Sequence, residues 1–127
     1  MDKRIIKSGT KQHKIIFPNT LNDHNTLFGG IAMQWMDEVA YITAIRFSRK
    51  KMVTVSVENI RFFLPIKSGA IAEITGKVTK VKNSKIKILV EIYTEDMYIE
   101  NRQKAVDALF SFAAINNDNK PIPIISK

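Results

Sequence analysis

An apolar run over residues 31–45, directly after Gly29 and Gly30, limits the possible folds of this chain more than any other segment. The run predicts a helix from about Gly29 or Gly30 to about Phe47. Apolar side chains fall on nearly every face of that helix. Because a helix that is apolar all round is normally buried, we expect the rest of the chain to wrap around it.

The periodicity after this helix changes from 3.6 residues to 2, which predicts strands. Four such segments follow the helix and a short one precedes it: 11–17, 52–63, 70–81, 85–93 and 103–115. The sequence therefore predicts the α+β class, with an antiparallel β-sheet wrapped around one long central helix. Such a sheet leaves an open edge and an incomplete core, so we expect the chain to form oligomers.

Length and composition indicate a single domain over 1–127, in which 1–10 and 117–127 are peripheral tails. The chain contains no cysteine and two histidines, so we expect no disulfide, no thiol nucleophile and no metal site. No apolar run reaches the ~18 residues of a membrane span, and the N-terminus lacks the apolar core of a secretory signal. We therefore expect a cytoplasmic protein.

The net charge of +8 is compatible with nucleic acid, an anionic membrane surface or a polyanionic small molecule as the partner. The basic residues are scattered, and the longest basic run is the short one at 49–51. The chain has no long basic arm and no aromatic segment typical of an RNA-binding sheet. We therefore expect no nucleic-acid partner, and a lysine-rich source genome explains the charge equally well.

A polar loop at 19–27 leads into the two glycines that open the helix. The first N–H groups of a helix have no partner within the helix, and the positive end of its dipole lies there, so this end can hold a carbonyl oxygen or an anion. Asp37 follows inside the helix as an acid that we expect to be buried. Open amides and a buried acid together indicate acyl chemistry.

After Asn22, the motifs LFGG at 27–30 and WMDEVA at 35–40 resemble the acyl-CoA thioesterases (acyl-CoA hydrolases) of the hotdog fold. Later motifs of that family follow in the same order: FFLPI at 62–66, ALFSF at 108–112 and NKPIP at 119–123. The resemblance covers about residues 12–123. It implies a hotdog homodimer in which two sheets join edge to edge, commonly assembled further into a trimer of dimers.

The resemblance also implies site residues. Asn22 and Asp37 match the catalytic pair of the family, and the amides of Gly29 and Gly30 match those that face the thioester carbonyl. Phe28, next to them, is expected to bind substrate. The only cofactor-like group that the resemblance implies is coenzyme A itself, as a part of substrate and product.

The loop departs from the family pattern in three places. Asn25 stands where relatives usually have glycine, although asparagine tolerates the left-handed backbone. Asp23 stands where many relatives have histidine, and Thr26 stands where some branches have their acid. These departures favour Asp37 as the acid and leave Asp23 as the second candidate.

In such a site the Gly30 amide would stabilise the oxyanion of the thioester. Asp37 would act as a general base toward water, or as a nucleophile that forms an anhydride. Asp37 lies seven residues after Gly30, about 10 Å along the helix, so one helix does not easily bring both to one carbonyl. We therefore expect a site shared between two chains, with Asp37 of one chain opposite Asn22 and Gly30 of the other.

Coenzyme A carries phosphates, so basic and polar residues are expected at the mouth of the site. The candidates are Arg61, Lys82, Ser84 and Lys85, with Lys80 and 49–51 as further ones. Each of the lysines and arginines among them is equally compatible with a solvated surface position.

Other functions are compatible with the same residues. A non-catalytic module that binds or senses acyl-CoA is the main alternative, although a pure binder does not need a buried acid at position 37. A hotdog dehydratase would use a histidine and an acid on the loop and the helix, and this helix has no histidine. Each of these residues also has a structural interpretation. Asp37 could be a hydrogen-bonded structural acid, Asn22 a turn former, and the two glycines points of close packing.

Overall fold

The computed structural model of the chain describes residues 2–125. Two α-helices, α1 (Asp2–Ser8) and α2 (Gly29–Ser48), and a 3-10 turn (Pro18–Thr20) accompany five strands: β1 (Thr10–Ile15), β2 (Lys51–Phe62), β3 (Ile71–Lys82), β4 (Lys85–Glu95) and β5 (Gln103–Ile115). All neighbouring strands are antiparallel, in the order β1-β3-β4-β5-β2. With α2 packed on this sheet, the predicted α+β architecture is confirmed.

The core lies between α2 and the inner face of the sheet. Every second residue of β4 is fully buried there, as the alternation in the sequence predicted: Ile86, Ile88, Val90 and Ile92. On β3, Gly76 lets the helix approach closely, because a Cβ at this position would lie 2.5 Å from the Thr43 hydroxyl and 2.9 Å from a Val39 methyl. The helix and sheet therefore meet at a fixed distance near the middle of α2.

The prediction that α2 is buried on every face is wrong. The helix buries one side against the sheet, from Ala32 through Val39 to Phe47. The opposite side stays exposed in the single chain and carries Gly30, Gln34, Asp37, Glu38 and Tyr41. A single sheet covers a helix from one side only, so the second side needs another cover.

The predicted peripheral tails are more ordered than expected. In the first, α1 packs on the end of α2, where the Arg4 guanidinium donates to the Phe47 carbonyl at 2.5 Å and lies 4.5 Å from the centroid of its ring. In the second, the Ile124 side chain is buried and its N–H donates to the Asn83 carbonyl at 2.9 Å. Residues 1, 126 and 127 lie outside the described residues.

Among residues 2–125, no helix combines the length and hydropathy that a membrane span requires. The same residues contain no group of three or more His, Asp or Glu side chains placed to hold a metal ion. The cytoplasmic location and the absence of a metal or separate cofactor stay predictions from the sequence.

Candidate active site

The Asn22 side chain organises the loop that precedes α2. Its Oδ1 accepts hydrogen bonds from the backbone N–H of His24 at 2.8 Å and of Thr26 at 3.2 Å, and its Nδ2 donates to the Thr26 hydroxyl at 3.0 Å. Asn25 takes the left-handed conformation, with φ of 61°. The loop therefore has the backbone shape expected for glycine at this position, and the Asn22 amide is held in one orientation.

The start of α2 presents open backbone donors. Phe28 is the N-cap and gives no side-chain cap, while its carbonyl accepts from the N–H groups of Ile31 and Ala32. Within the described residues, no hydrogen bond from the N–H of Gly29 or Gly30 is found. Both glycines are exposed, so their amides are accessible to a ligand oxygen at the positive end of the helix dipole.

Glycine at position 30 also has a steric reason. A Cβ there would lie 3.0 Å from an edge carbon of the Phe28 ring. A side chain at this position would displace the ring of Phe28, a residue that is 52% exposed at the helix start.

Asn22 and Gly29 share a cleft with the end of β2. The cleft has a volume of 310 Å³, and its apolar wall consists of Leu27, Ala32, Phe62, Phe63, Leu64, Pro65, Ile66 and Val106. The structure thus brings together two predicted site residues, an amide donor surface and an apolar lining. Asp23, the second candidate acid, is exposed on the loop and does not line this cleft.

Asp37 lies outside the cleft, on the exposed side of α2. The expectation of a buried acid is therefore wrong for the single chain. Its place in the helix, seven residues after Gly30, separates the two groups by about 10 Å along the axis. One chain therefore has Asn22 and Gly29 in the cleft and its acid outside the cleft.

The strand β2 is one of the two edges of the sheet, and β1 is the other. β2 pairs with β5 on one side only, and its exposed residues include Val53, Val55 and Ile60. An unpaired strand with exposed apolar side chains favours pairing with another strand.

Thr54 lies on this edge and was not among the residues predicted from the sequence. It pairs with Phe112, and cross-strand partners share a face, so its side chain lies on the helix side of β2. The Phe112 ring contacts Tyr41 with 6.2 Å between ring centroids, and Tyr41 is one helical turn after Asp37. The period-2 pattern gives the face of Thr54, but only the strand order shows that it lies on an edge strand.

The residues expected to bind phosphate divide into two groups. Lys82, Ser84 and Lys85 meet at the β3–β4 turn, where they line a 350 Å³ pocket with Lys80, Asn83 and Lys87. That turn lies at the far end of the sheet from the cleft. The cleft loop bridges to Lys67 just before β3, and β3 then runs 12 residues, about 40 Å, to the turn. A single chain therefore does not unite this pocket with the amides of Gly29 and Gly30.

Arg61 is engaged in an ion pair instead. Its guanidinium donates to both carboxylate oxygens of Asp107, at 3.0 and 2.8 Å. Asp107 has a side chain only 4% exposed and also accepts Lys104 at 2.9 Å. Arg61 is therefore ion-paired within the chain, and its contact with a phosphate group stays a prediction.

A model of the thioesterase superfamily matches residues 24–100, which include the start of α2, Asp37 and the β2 edge. The chain belongs to the thioesterase superfamily. This superfamily member is 33% identical over 109 residues to an uncharacterised acyl-CoA thioester hydrolase of Bacillus subtilis. The alignment covers 86% of this chain and 63% of the relative, so the chain spans less than two thirds of that relative's length.

Solved structures agree with this assignment. An acyl-CoA hydrolase of Staphylococcus aureus, in complex with butyryl-CoA, CoA and CoA disulfide, superposes with a TM-score of 0.89 at 29% identity, over 94% of this chain and 73% of that one. A hexameric thioesterase of Yersinia pestis superposes with a TM-score of 0.82 at 26% identity, over 91% and 93%. The hotdog fold predicted from the sequence is confirmed.

The ion pair of Asp107 gives this superfamily member a testable pH dependence. Hydrogen bonds from Arg61 hold the pKa of Asp107 below its ordinary value; burial opposes this, and Lys104 adds to it. A carboxylate with a lower pKa in the folded state stabilises the fold above its unfolded pKa, and this stabilisation is lost as pH falls through the folded pKa.

We therefore expect Asp107→Asn to lower the Tm at neutral pH, and the difference from wild type to narrow as pH falls below about 4. Scanning fluorimetry of both proteins over a series of buffers from neutral to acidic pH measures this difference in Tm. A Tm difference that stays constant down to the lowest pH would contradict the assignment.

Proposed function

We propose that the chain hydrolyses acyl-CoA thioesters to a free carboxylic acid and CoA. The open N–H groups of Gly29 and Gly30, beside the fixed Asn22 amide in the cleft, are the observation that carries this proposal. A thioester carbonyl needs donors at the point where its oxygen becomes negative. Membership in the thioesterase superfamily supports the same reaction class.

The reaction needs a base or nucleophile in addition to these donors, and we assign that role to Asp37. As a base, its carboxylate takes a proton from water while the water oxygen bonds to the carbonyl carbon. The C–S bond then breaks, and the CoA thiolate leaves and takes up a proton. As a nucleophile, the carboxylate bonds to the carbonyl carbon itself, CoA leaves, and water hydrolyses the resulting anhydride.

Two chains complete the site in this proposal. If the β2 edges of two chains pair antiparallel about a two-fold axis, the start of each β2 lies beside the end of the other. The exposed side of each α2, with Asp37, then turns toward the cleft of the partner, which lies at the end of the partner's β2. Exposed apolar residues along β2 support this pairing.

The same pairing gives Thr54 a function. Its side chain lies on the helix side of the β2 edge, on the same face as Phe112, which contacts Tyr41. A hydroxyl can both donate and accept a hydrogen bond. We propose that it holds the attacking water in line with the carbonyl carbon.

Antiparallel pairing also accounts for the distant lysines. It moves the basic end of one chain, with 49–51 and the β3–β4 turn, toward the cleft end of the other. We propose that Lys82, Ser84 and Lys85 bind phosphate groups of a CoA whose thioester lies in the cleft of another chain. Asn83 has a φ of 56° at this turn, and such turns direct backbone N–H groups toward anions.

The proposed assembly is a homodimer, assembled further as a trimer of dimers. The open β2 edge supports the dimer, and the hexameric state of the Yersinia pestis relative supports the larger assembly. The proposed substrate site needs at least the dimer, because a single chain separates Asp37 from the cleft.

Release of free CoA from a series of acyl-CoA substrates, from acetyl- to palmitoyl-CoA, tests the proposed function. We expect turnover of at least part of the series, detected with a thiol reagent, because the chain itself has no cysteine to react. Calorimetric binding of CoA measured in parallel tests the alternative function. Tight binding without any turnover would contradict hydrolysis and favour an acyl-CoA-sensing module.

A further inference from the structure

Asp107 is a buried acid that the proposed reaction does not use. It lies in β5 opposite Arg61, and its register partner in β4 is Glu91. Its carboxylate accepts both donors of the Arg61 guanidinium, and Lys104 joins it to Glu91 with contacts of 2.9 and 2.7 Å. A buried carboxylate costs free energy unless it is paired, so this arrangement needs both cations.

Both cations contact the same aromatic ring. The guanidinium carbon of Arg61 lies 5.1 Å from the centroid of the Phe63 ring, and the Lys104 ammonium lies 5.7 Å from it. Cations at this distance attract an aromatic ring and favour its position beside them. The Phe63 N–H also donates to the Ala105 carbonyl at 2.7 Å. Phe63 is in turn part of the wall of the cleft that contains Asn22.

The backbone of β2 is irregular just before this wall of the cleft. The pairing of β2 with β5 is interrupted between Glu58 and Arg61, where Asn59 takes the left-handed conformation with φ of 56°. Regular pairing resumes at the Arg61–Asp107 pair. A bulge of this kind bends an edge strand and changes the direction of the residues after it. The ion pair thus fixes the chain at the point where β2 turns toward the cleft.

We infer that Asp107 is a positioning residue for the substrate cleft, acting through Arg61 and Lys104 on the Phe63 ring. The inference rests on the proposed function. It names the contacts that hold the apolar wall of the cleft in place beside the part of the substrate next to the thioester. Loss of the carboxylate frees Arg61 and leaves Lys104 paired with Glu91 alone, so the ring moves, and the cleft binds this part of the substrate less well. The amides and Asp37 are not altered.

The test is the steady-state hydrolysis of acyl-CoA by Asp107→Asn, a variant of nearly the same shape without the charge. We expect KM to rise about fivefold while kcat stays within about twofold of wild type. Glu73→Gln is the matched control. Glu73 is also a partly buried acid on the outer face, paired with Arg102 at 2.6 Å, which stacks on Tyr93 at 3.6 Å, and none of these three lines the cleft.

A double-mutant cycle separates positioning from a general loss of stability. In a Phe63→Ala background, Asp107→Asn should raise KM by less than about twofold, because the ring through which it acts is absent. Should Asp107→Asn fold poorly, Arg61→Lys keeps the charge and removes the two-point contact, and it should raise KM in the same way.

The outcomes distinguish this inference from the function it rests on. A wild type that releases CoA from no substrate overturns the proposed function and this inference with it. If the wild type is active but Asp107→Asn changes KM no more than Glu73→Gln does, the inference is overturned and the proposed function stands. The inference is also overturned if the two substitutions act independently, so that the KM increases of Asp107→Asn and Phe63→Ala multiply in the double variant.

Discussion

Replacement of Asp37 with asparagine should lower kcat for acyl-CoA hydrolysis by a factor of about 10²–10⁴. Asparagine has nearly the same shape but cannot take a proton from water, and it is a poor nucleophile. The side chain is exposed on α2 in the single chain, so the substitution removes no core packing and should leave the Tm close to that of wild type. Thiol release under saturating substrate, with fluorimetry of both proteins, measures the two quantities.

Glu38 supplies the matched control for this variant. It is the next residue of the helix, equally exposed, and its carboxylate lies 3.5 Å from the Gln34 amide. Glu38→Gln removes the same charge from the same surface and should change kcat by less than about twofold. Equal losses in Asp37→Asn and Glu38→Gln would show that surface charge matters and that Asp37 has no special part in the chemistry.

The sequence was sufficient for the elements that have a strong local period. The prediction for the last strand, 103–115, has the bounds of β5, and the predicted helix ends one residue before Ser48. The position of the site at the start of the helix was predicted in the same way, because a polar loop and two glycines before an apolar run define a helix N-terminus by themselves. Asn22 and Gly29 therefore lie together in the cleft as a consequence of local sequence.

The features that were missed depend on which elements become neighbours. An apolar pattern on every face of α2 has two explanations, burial within one chain or burial between chains, and the sequence does not distinguish them. The exposed position of Asp37 in the single chain agrees with the second explanation. The ion pair of Arg61 with Asp107 joins residues 46 positions apart, and Thr54 gains its place from the strand order, so neither had a local signal.

The first segment was misjudged for a similar reason. Residues 2–8 are too few to form a stable helix alone, and their pattern suggested only a mobile or edge segment. Contacts with the end of α2 stabilise α1, where the Arg46 guanidinium donates to the Lys7 carbonyl at 2.6 Å and to the Gly9 carbonyl at 2.9 Å.

A site shared between two chains is the central claim, and complementation between two inactive variants tests it most directly. Asn22→Ala and Asp37→Asn each leave both sites of their own homodimer incomplete. A mixed dimer would combine Asn22 and the glycines of one chain with Asp37 of the other, giving one intact site and one doubly altered site. With random pairing, half of the dimers are mixed, so activity should reach about a quarter of wild type.

The measurement is CoA release by mixed dimers, isolated through two different affinity tags after co-expression and compared with each parent variant alone. The shared site predicts about half of wild-type activity per purified mixed dimer, with both parents almost inactive. Mixed dimers that are verified by mass and remain as inactive as their parents would contradict the shared site and place Asp37 and Asn22 in the same chain's chemistry.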